Sequence, residues 1–187
     1  MIHLALVHYP VLNRRGEVIV SAVTNLDIHD IARASMTYGV DGYYVVTPVG
    51  EQQALVKELV RHWSDGVGSA ISPDRRTALE LVRVAGSLKD VCDDIALKTG
   101  GRPVVYATTA REVIGSIGWR SLREKLRDKG FNLLLIFGTA FGLAPEVFDL
   151  VDGALAPIEG VAGYNHLSVR SAAAIALDRL FSNYMDI

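Results

Sequence analysis

Short apolar runs alternate with helix-like patterns along this chain. The runs are rich in β-branched and aromatic residues and most are apolar throughout, which is typical of strands covered on both faces of a parallel sheet. The predicted strands span residues 2–8, 18–24, 42–47, 103–108, 133–137 and 153–156. Strands that alternate with helices indicate an α/β fold, with a mostly parallel sheet and helices on both faces.

Four segments carry apolar residues at helical spacing, and each predicts a helix with one buried stripe. The third helix is bordered by basic residues, and we expect it to end at Gly130 as a C-terminal cap. In chain order the stripes are Leu55, Val56, Leu59, Val60 and Trp63; Leu81, Val82, Ala85, Leu88, Cys92 and Ile95; Trp119, Leu122 and Leu126; and Val169, Ala172, Ala173, Ala176, Leu177 and Leu180.

The composition favours one soluble globular domain spanning residues 1–187. Half the residues are hydrophobic and 21% are charged, which excludes a disordered chain. The apolar start is too short to span a bilayer, and the single cysteine, Cys92, favours a reducing compartment, so we expect a cytoplasmic protein with no membrane contact. No metal-ligand spacing stands out, so no metal site is expected. The 19 basic and 21 acidic residues leave a net charge of −2, which argues against binding nucleic acid through bulk charge.

A glycine-containing turn follows the strand predicted at residues 133–137. Gly138 and Gly142 allow a sharp turn and the close approach of a flat ligand, and Pro145 predicts the first turn of a short helix. The segment lacks the G-x-G-x-x-G pattern, so a Rossmann-type dinucleotide site is not supported. On its own this turn is either structural or part of a ligand cleft.

A second loop, residues 156–168, leads into the alanine-rich last helix. Ser168 and Ser171 stand where hydroxyl groups cap a helix N-terminus. The loop also carries Asn165 and His166. An imidazole can accept a proton near neutral pH, so His166 is either a proton acceptor or a hydrogen-bonded structural group.

A third segment, residues 26–48, combines an acidic helix start, an arginine in an otherwise apolar helix, and a Tyr-Gly turn before a strand. Asp27 or Asp30 can serve the helix N-terminus. Arg33 is either a ligand-binding residue or a structural arginine, which extends its charge to the surface or forms a surface ion pair.

Taken together and in this order, the segments resemble the SPOUT superfamily of S-adenosylmethionine-dependent RNA methyltransferases. The first motif is matched by Arg33 with YGVDGYYVV at residues 38–46, and the second by IFGTAFGL at residues 136–143. The third is matched by API at residues 156–158 with HLSVRSAAAIAL at residues 166–177, and ATTA at residues 107–110 matches a further loop of the cofactor cleft. The resemblance is closest to a little-studied bacterial group that sometimes occurs joined to the tRNA guanine methyltransferase.

This resemblance implies a C-terminal deep trefoil knot, in which the segment after Ala156 passes through the loop of residues 107–138. It implies S-adenosyl-L-methionine bound in a bent shape, tRNA or rRNA as substrate, and a homodimer formed through the last helix, the knot and the helix of Arg33. The implied cofactor-binding residues are Ala107, Thr108, Thr109, Phe137, Gly138, Thr139, Gly142, Leu143, Ile158, Gly160, Asn165, His166, Leu167, Val169 and Ser171.

The resemblance also nominates Arg33, Asp27 and Arg170 as catalytic residues. Arg33 is expected to hold a phosphate or the acceptor, and Arg170 to lie near the RNA or the methionine carboxylate. Asp27 is a base or a helix cap. Asp27 and His166 stand where ribose methyltransferases of the superfamily have asparagine, so ribose specificity is not implied.

Two other functions remain open at this point. One is a SPOUT-fold module that binds cofactor or RNA without methyl transfer. The other is a generic nucleotide-binding α/β domain, which the missing phosphate-binding fingerprint disfavours. If RNA is bound, the expected phosphate contacts are the paired arginines Arg14 and Arg15, Arg75 and Arg76, and the basic residues Arg120, Arg123 and Lys125.

Overall fold

The computed structural model describes residues 1–161 and 163–182. Its strands are β1 (Ile2–Val7), β2 (Val11–Leu12), β3 (Val18–Ile19), β4 (Gly42–Val46), β5 (Val82–Ala85), β6 (Val104–Ala107), β7 (Leu133–Gly138) and β8 (Gly153–Ala154). Its helices are α1 (Asn25–Thr37), α2 (Gly50–Ser64), α3 (Val67–Ile71), α4 (Pro73–Leu79), α5 (Leu88–Thr99), α6 (Trp119–Lys125), α7 (Pro145–Phe148) and α8 (Val169–Phe181).

The main sheet has six strands in the order β5-β4-β1-β7-β6-β8, and all its pairs are parallel. Parallel strands end at the same edge, here called the carboxyl edge. At this edge Val7 of β1 lies between Val46 of β4 and Gly138 of β7, and Ala107 of β6 lies opposite Ile136. The loops that leave these four strands therefore start side by side, where ligands bind in open α/β sheets.

Helices cover both faces of the sheet because successive side chains of β1 point to opposite sides. Leu4 and Leu6 join a core with buried residues of α1, α4, α6 and α8. Ala5 and Val7 join a second core with buried residues of α5 and α7. The predicted α/β architecture with helices on both faces is thus confirmed.

The strand predicted at residues 18–24 is wrong in its extent and in its sheet. Only Val18–Ile19 is extended, and it pairs antiparallel with β2 in a separate hairpin. The backbone N–H of Ser21 then donates to the His8 carbonyl, and Thr24 caps α1, so the chain turns away from strand pairing.

The helix predicted over residues 81–95 is wrong in its first half. Val82–Ala85 form β5 at the edge of the main sheet, and the helix begins only at Leu88, after the cap residue Ser87. The helix predicted to end at Gly130 is also too long, because α6 ends at Lys125. Gly130 lies in a later turn, where its N–H donates to the Asp128 carboxylate.

The pairing of α1 with α8 brings two predicted motifs together. These helices pack against each other, and the Tyr38 hydroxyl donates to the Asp178 carboxylate at 2.9 Å. Ser168 caps α8 as predicted, since its hydroxyl accepts from the backbone N–H of Ser171. Among the helices of the described residues, none combines the length and the apolar character needed to cross a membrane.

Candidate active site

Three loops follow the carboxyl ends of β6, β7 and β8, and the structure places two of them in direct contact. We call them the β6 loop (residues 108–118), the glycine loop (residues 139–144) and the β8 loop (residues 155–161 and 163–168). The Asn165 amide donates to the Ala110 carbonyl at 3.1 Å, and the backbone N–H of Leu155 donates to Ala107 at 2.8 Å. The β8 loop therefore lies along the β6 loop, as the predicted cofactor cleft requires.

The glycine loop turns so tightly that Gly138, where β7 ends, has no room for a side chain. A Cβ atom on Gly138 would lie 2.7 Å from the backbone nitrogen of Leu143. Gly142 has a φ of 103° and Ala140 a φ of 53°, so two residues adopt left-handed backbone conformations. Backbone amide groups are thus brought close to the end of β7 with no side chain between them.

Several backbone donors of the three loops remain unused by the chain itself. Within the described residues, the N–H groups of Thr109, Leu143, Ile158, Gly160 and Leu167 make no hydrogen bond. Unpaired backbone donors at the carboxyl edge suit a planar heteroaromatic ligand with acceptor atoms on its rim, such as an adenine ring. These residues fit the adenosyl part of S-adenosylmethionine, which the sequence led us to expect here.

A chain of hydrogen bonds connects the end of β1 to the glycine loop. Thr139 Oγ1 donates to the Val7 carbonyl at 3.0 Å, and a carbonyl can only accept. The Thr139 hydroxyl proton is therefore used, so Ser21 must donate in its contact with Thr139. The Ser21 proton is then used as well, and His8 Nδ1–H must be the donor in the 2.9 Å contact with Ser21.

This direction fixes the tautomer of His8. Burial lowers the pKa of His8 to about 4, although the Asp27 carboxylate opposes the shift, so the ring is neutral at pH 7. Since Nδ1 carries the proton, Nε2 carries the lone pair. Nε2 is buried and has no hydrogen-bond partner in the described part of the chain.

Two of the three predicted catalytic residues form an ion pair. Arg170 Nη1 lies 3.2 Å from Asp27 Oδ1, and Arg170 Nε lies 3.7 Å from Asp30 Oδ2. The other carboxylate oxygen of Asp27 accepts from the hydroxyl of Thr24, whose Oγ1 in turn accepts from the Asp27 backbone N–H. Asp27 is buried; one of its oxygens joins the start of α1 to α8 through Arg170, and the other is bound within the start of α1 by Thr24.

Arg33 stands apart from that pair. Its side chain is exposed on α1 and forms no hydrogen bond or ion pair within residues 1–161 and 163–182. His166 is also exposed, and its ring meets the edge of Tyr164 with centroids 5.2 Å apart. Both side chains are therefore accessible to a ligand, whereas Asp27 is not.

Other predicted site residues lie at the ends of β6 and β7 and at the start of α8. Thr108 Oγ1 donates to the Ile136 carbonyl, and Thr109 Oγ1 accepts from the Arg111 backbone, so both hydroxyls shape the start of the β6 loop. Phe137 is buried at the end of β7, and Val169 begins α8.

Sequence reasoning missed His8 and Ser21 as members of this region. The available signal was that His8 directly follows an apolar strand and precedes Tyr9 and Pro10. A polar side chain directly after a parallel strand lies at the carboxyl edge, where ligands bind. Ser21 carried no such signal because it lay inside a segment interpreted as a strand.

Known proteins are similar to this chain in sequence over nearly its whole length. A family model described as SAM-dependent RNA methyltransferase matches residues 1–182. A protein of Oleidesulfovibrio alaskensis named tRNA (guanine-N(1)-)-methyltransferase is 50% identical over 182 residues, which cover 97% of this chain and 42% of that protein. The chain thus spans less than half of that relative. An uncharacterized protein of Aquifex aeolicus is 37% identical over 181 residues, which cover 88% of its length.

Solved structures show the same fold at low sequence identity. A probable methylase family protein from Haemophilus influenzae matches 99% of this chain and 66% of its own, with 20% identity and a TM-score of 0.65. The SpoU methyltransferase AviRb from Streptomyces viridochromogenes, solved with AdoMet, matches 100% of this chain and 61% of its own, with 17% identity and a TM-score of 0.56. The expected SPOUT resemblance is confirmed at the level of the fold.

Proposed function

Because the chain belongs to the family of SAM-dependent RNA methyltransferases, we propose that it transfers the methyl group of S-adenosyl-L-methionine to a nucleotide of tRNA. The observation that carries the proposal is that three loops with unused backbone donors leave neighbouring strands at the carboxyl edge in a chain of this family. The name of the Oleidesulfovibrio relative favours tRNA over rRNA. We take residues 1–187 as one methyltransferase domain that acts in the cytoplasm.

We assign the adenine and ribose to the unused backbone N–H groups of Leu143, Ile158 and Leu167, with Thr109 and Gly160 at the border of the site. Asn165 supports this arrangement because its bond to Ala110 holds the β8 loop against the β6 loop. We further infer that the segment after Ala156 threads through the loop of residues 107–138 to form the knot.

Bound S-adenosylmethionine supplies an electrophilic methyl carbon. The acceptor atom of the RNA would take this methyl group from the cofactor's sulfur and would give up its proton. The exposed, unpaired guanidinium of Arg33 is suited to holding an RNA phosphate, and the exposed imidazole of His166 is suited to accepting the proton.

Asp27 and Arg170 have a positioning role in this proposal. Asp27 is buried, with one oxygen bound by Arg170 and the other by Thr24, so the carboxylate is not accessible to the acceptor. We expect Asp27→Asn to keep methyl transfer within about threefold of the original rate and to leave its pH profile unchanged, because the amide oxygen can still accept from Thr24 and Arg170 retains Asp30 as an acidic partner. A loss of a hundredfold or more with a changed pH profile would assign Asp27 as the base instead.

The proposed activity is tested by supplying labelled S-adenosylmethionine and bulk tRNA or rRNA from cells that lack this protein. We expect label in tRNA, and nucleoside mass spectrometry then identifies the acceptor. Cofactor binding without transfer to either RNA would support the module that binds without turnover. Absence of cofactor binding in calorimetry would overturn the enzyme proposal altogether.

The role of Arg33 is tested by Arg33→Ala, with Arg61→Ala as the matched control on the exposed side of α2. We expect Arg33→Ala to reduce transfer at least tenfold with unchanged cofactor affinity, because it removes one phosphate contact. Arg61→Ala should retain full activity. Equal activity of the two variants would contradict the role given to Arg33.

We also propose a homodimer formed through α8, the knot and α1. Large apolar side chains are exposed at the starts of both helices: Leu26 is 62% exposed and Leu167 is 45% exposed. Light scattering should give twice the chain mass, and replacing both leucines by aspartate should give the mass of one chain. A single-chain mass for the unmodified protein would refute the dimer.

A further inference from the structure

A hairpin that no motif covers projects from the carboxyl edge next to the glycine loop. Strands β2 and β3 are joined by a turn, here called the tip, at residues 13–17. The side-chain oxygen of Asn13 accepts from the backbone N–H groups of Arg15 and Glu17 at 2.8 and 3.0 Å, and Gly16 takes a φ of 81°. The tip therefore has a fixed backbone, which holds its side chains in a defined direction.

The hairpin is joined to the glycine loop by backbone hydrogen bonds. The N–H of Leu12 donates to Gly142 at 2.9 Å, and the N–H of Phe141 donates to Leu12 at 3.0 Å. The N–H of Ala144 donates to Pro10 at 3.2 Å. Together with the chain from His8 through Ser21 to Thr139, these bonds make the hairpin and the glycine loop one unit.

The tip presents two arginines without acidic partners. Arg14 and Arg15 are exposed, and neither forms an ion pair within the described residues. The neighbouring carboxylate of Glu17 accepts instead from the Asn13 amide at 2.6 Å. Two adjacent guanidinium groups on a fixed turn are suited to binding successive phosphates of a nucleic-acid strand.

Two aromatic rings are exposed at the base of the same hairpin. Tyr9 is 41% exposed and directly precedes Pro10, which is bonded to the glycine loop. Phe141 is 55% exposed and lies in the glycine loop beside Leu12. Exposed rings next to unpaired arginines are the typical surface for single-stranded RNA, whose bases stack on aromatic side chains.

We propose that this hairpin is an RNA-binding arm, in which Arg14 and Arg15 bind phosphates and Tyr9 and Phe141 stack on unpaired bases beside the acceptor nucleotide. This inference rests on the proposed function, since it needs an RNA substrate at the carboxyl edge. It assigns RNA affinity to an element outside the three motifs. It also predicts recognition of a loop or a strand end, because stacking needs bases that are not paired.

The test compares Arg14→Ala/Arg15→Ala with Arg127→Ala/Lys129→Ala in the full chain. The control removes the same charge from exposed residues near Met1, at the opposite edge of the sheet. Binding of bulk tRNA is measured by fluorescence anisotropy over a series of salt concentrations, and cofactor binding by calorimetry. We expect the tip variant to bind tRNA at least tenfold more weakly, with a salt slope reduced by about 1.4, since each phosphate contact with a single strand contributes about 0.7.

A second pair of variants tests the rings. Tyr9→Ala and Phe141→Ala should each weaken tRNA binding by about fivefold or more and leave the salt slope unchanged, because stacking involves no counterion release. The tip variant Arg14→Ala/Arg15→Ala should have the same thermal unfolding midpoint and the same cofactor affinity as the unmodified protein.

The outcomes separate this inference from the proposed function. If the unmodified protein binds and methylates tRNA but the tip variant binds it equally well, or no worse than the control, the RNA-binding arm is refuted while the proposed function remains. If the unmodified protein neither binds nor methylates RNA, both are overturned.

Discussion

Replacing Ser21 by alanine should lower the free energy of unfolding by about 2–4 kcal/mol, because Ser21 joins two buried side chains. Its hydroxyl accepts from His8 Nδ1–H and donates to Thr139. Alanine leaves the buried N–H without an acceptor, which costs about 1–3 kcal/mol, and removes a second hydrogen bond worth about 1 kcal/mol. Thr139 still donates to the Val7 carbonyl, so the substitution breaks no other hydrogen bond of this series.

The assay is urea unfolding at pH 7.5, with Ser64→Ala as the matched control. The Ser64 hydroxyl is also half-buried but donates only to the Val60 carbonyl within α2. Its removal should change stability by less than about 0.5 kcal/mol, because alanine is the better helix former and such back-bonding contributes little. Equal losses in the two variants, or a loss below about 0.5 kcal/mol for Ser21→Ala, would refute the hydrogen-bond chain.

A second measurement tests the direction of that chain. Nitrogen NMR of the histidine rings should show His8 with a proton on Nδ1 and none on Nε2 at pH 7, since Thr139 and Ser21 each have one proton to donate. A proton on Nε2 would show that Ser21 donates to His8, and the argument from the Val7 carbonyl would then be wrong.

Two further predictions follow from single positions. Gly138→Ala should destabilise the fold by about 2 kcal/mol or more and weaken cofactor binding at least tenfold, because its Cβ would lie 2.7 Å from the Leu143 nitrogen. The control is Gly118→Ala, whose Cβ meets no atom within 4 Å. It should have little effect in the same unfolding and calorimetry experiments. Burial lowers the pKa values of His3 and His8 from 6.5 to about 4, so their contribution to stability is fully present above pH 6.5 and is lost as the pH falls toward 4. At pH 5, protonation of each ring should lower the free energy of unfolding by about 2 kcal/mol. The free energy of unfolding in urea should therefore fall by about 2 kcal/mol less between pH 7.5 and pH 5 in His3→Gln than in the unmodified protein, and an equal fall in both would contradict the assignment.

The loops of the site could be predicted from the sequence because local chemistry marks them. Gly138 and Gly142 follow an apolar strand directly, and Pro157 and Gly160 interrupt the pattern between the last strand and the last helix. Such residues locate a turn whatever the rest of the fold does. The end of a parallel strand then places each turn at the carboxyl edge.

The side-chain partnerships could not be predicted, because they join distant parts of the chain. Arg170 and Asp27 are 143 residues apart in sequence, and Thr139 and Ser21 are 118 residues apart. No spacing rule links such positions. The strand Val82–Ala85 was missed for a different reason, since apolar residues one and three positions apart fit a helix as well as a short edge strand.

The net charge of −2 is compatible with RNA binding because much of the charge is paired locally. Among the described residues, the paired cations are Arg76 with Glu80, Lys89 with Asp93, Lys98 with Asp94, Arg102 with Asp152, Arg120 with Glu124, and Arg170 with Asp27 and Asp30. In the part of the chain that the structure describes, Arg14, Arg15 and Arg111 lie in loops of the carboxyl edge and have no acidic partner. Together with Arg33, these residues give about four phosphate contacts to a single strand, so the logarithm of RNA affinity should fall with the logarithm of salt with a slope of only about −3. A slope of −6 or steeper would mean that the RNA contacts a much wider basic surface than this edge provides.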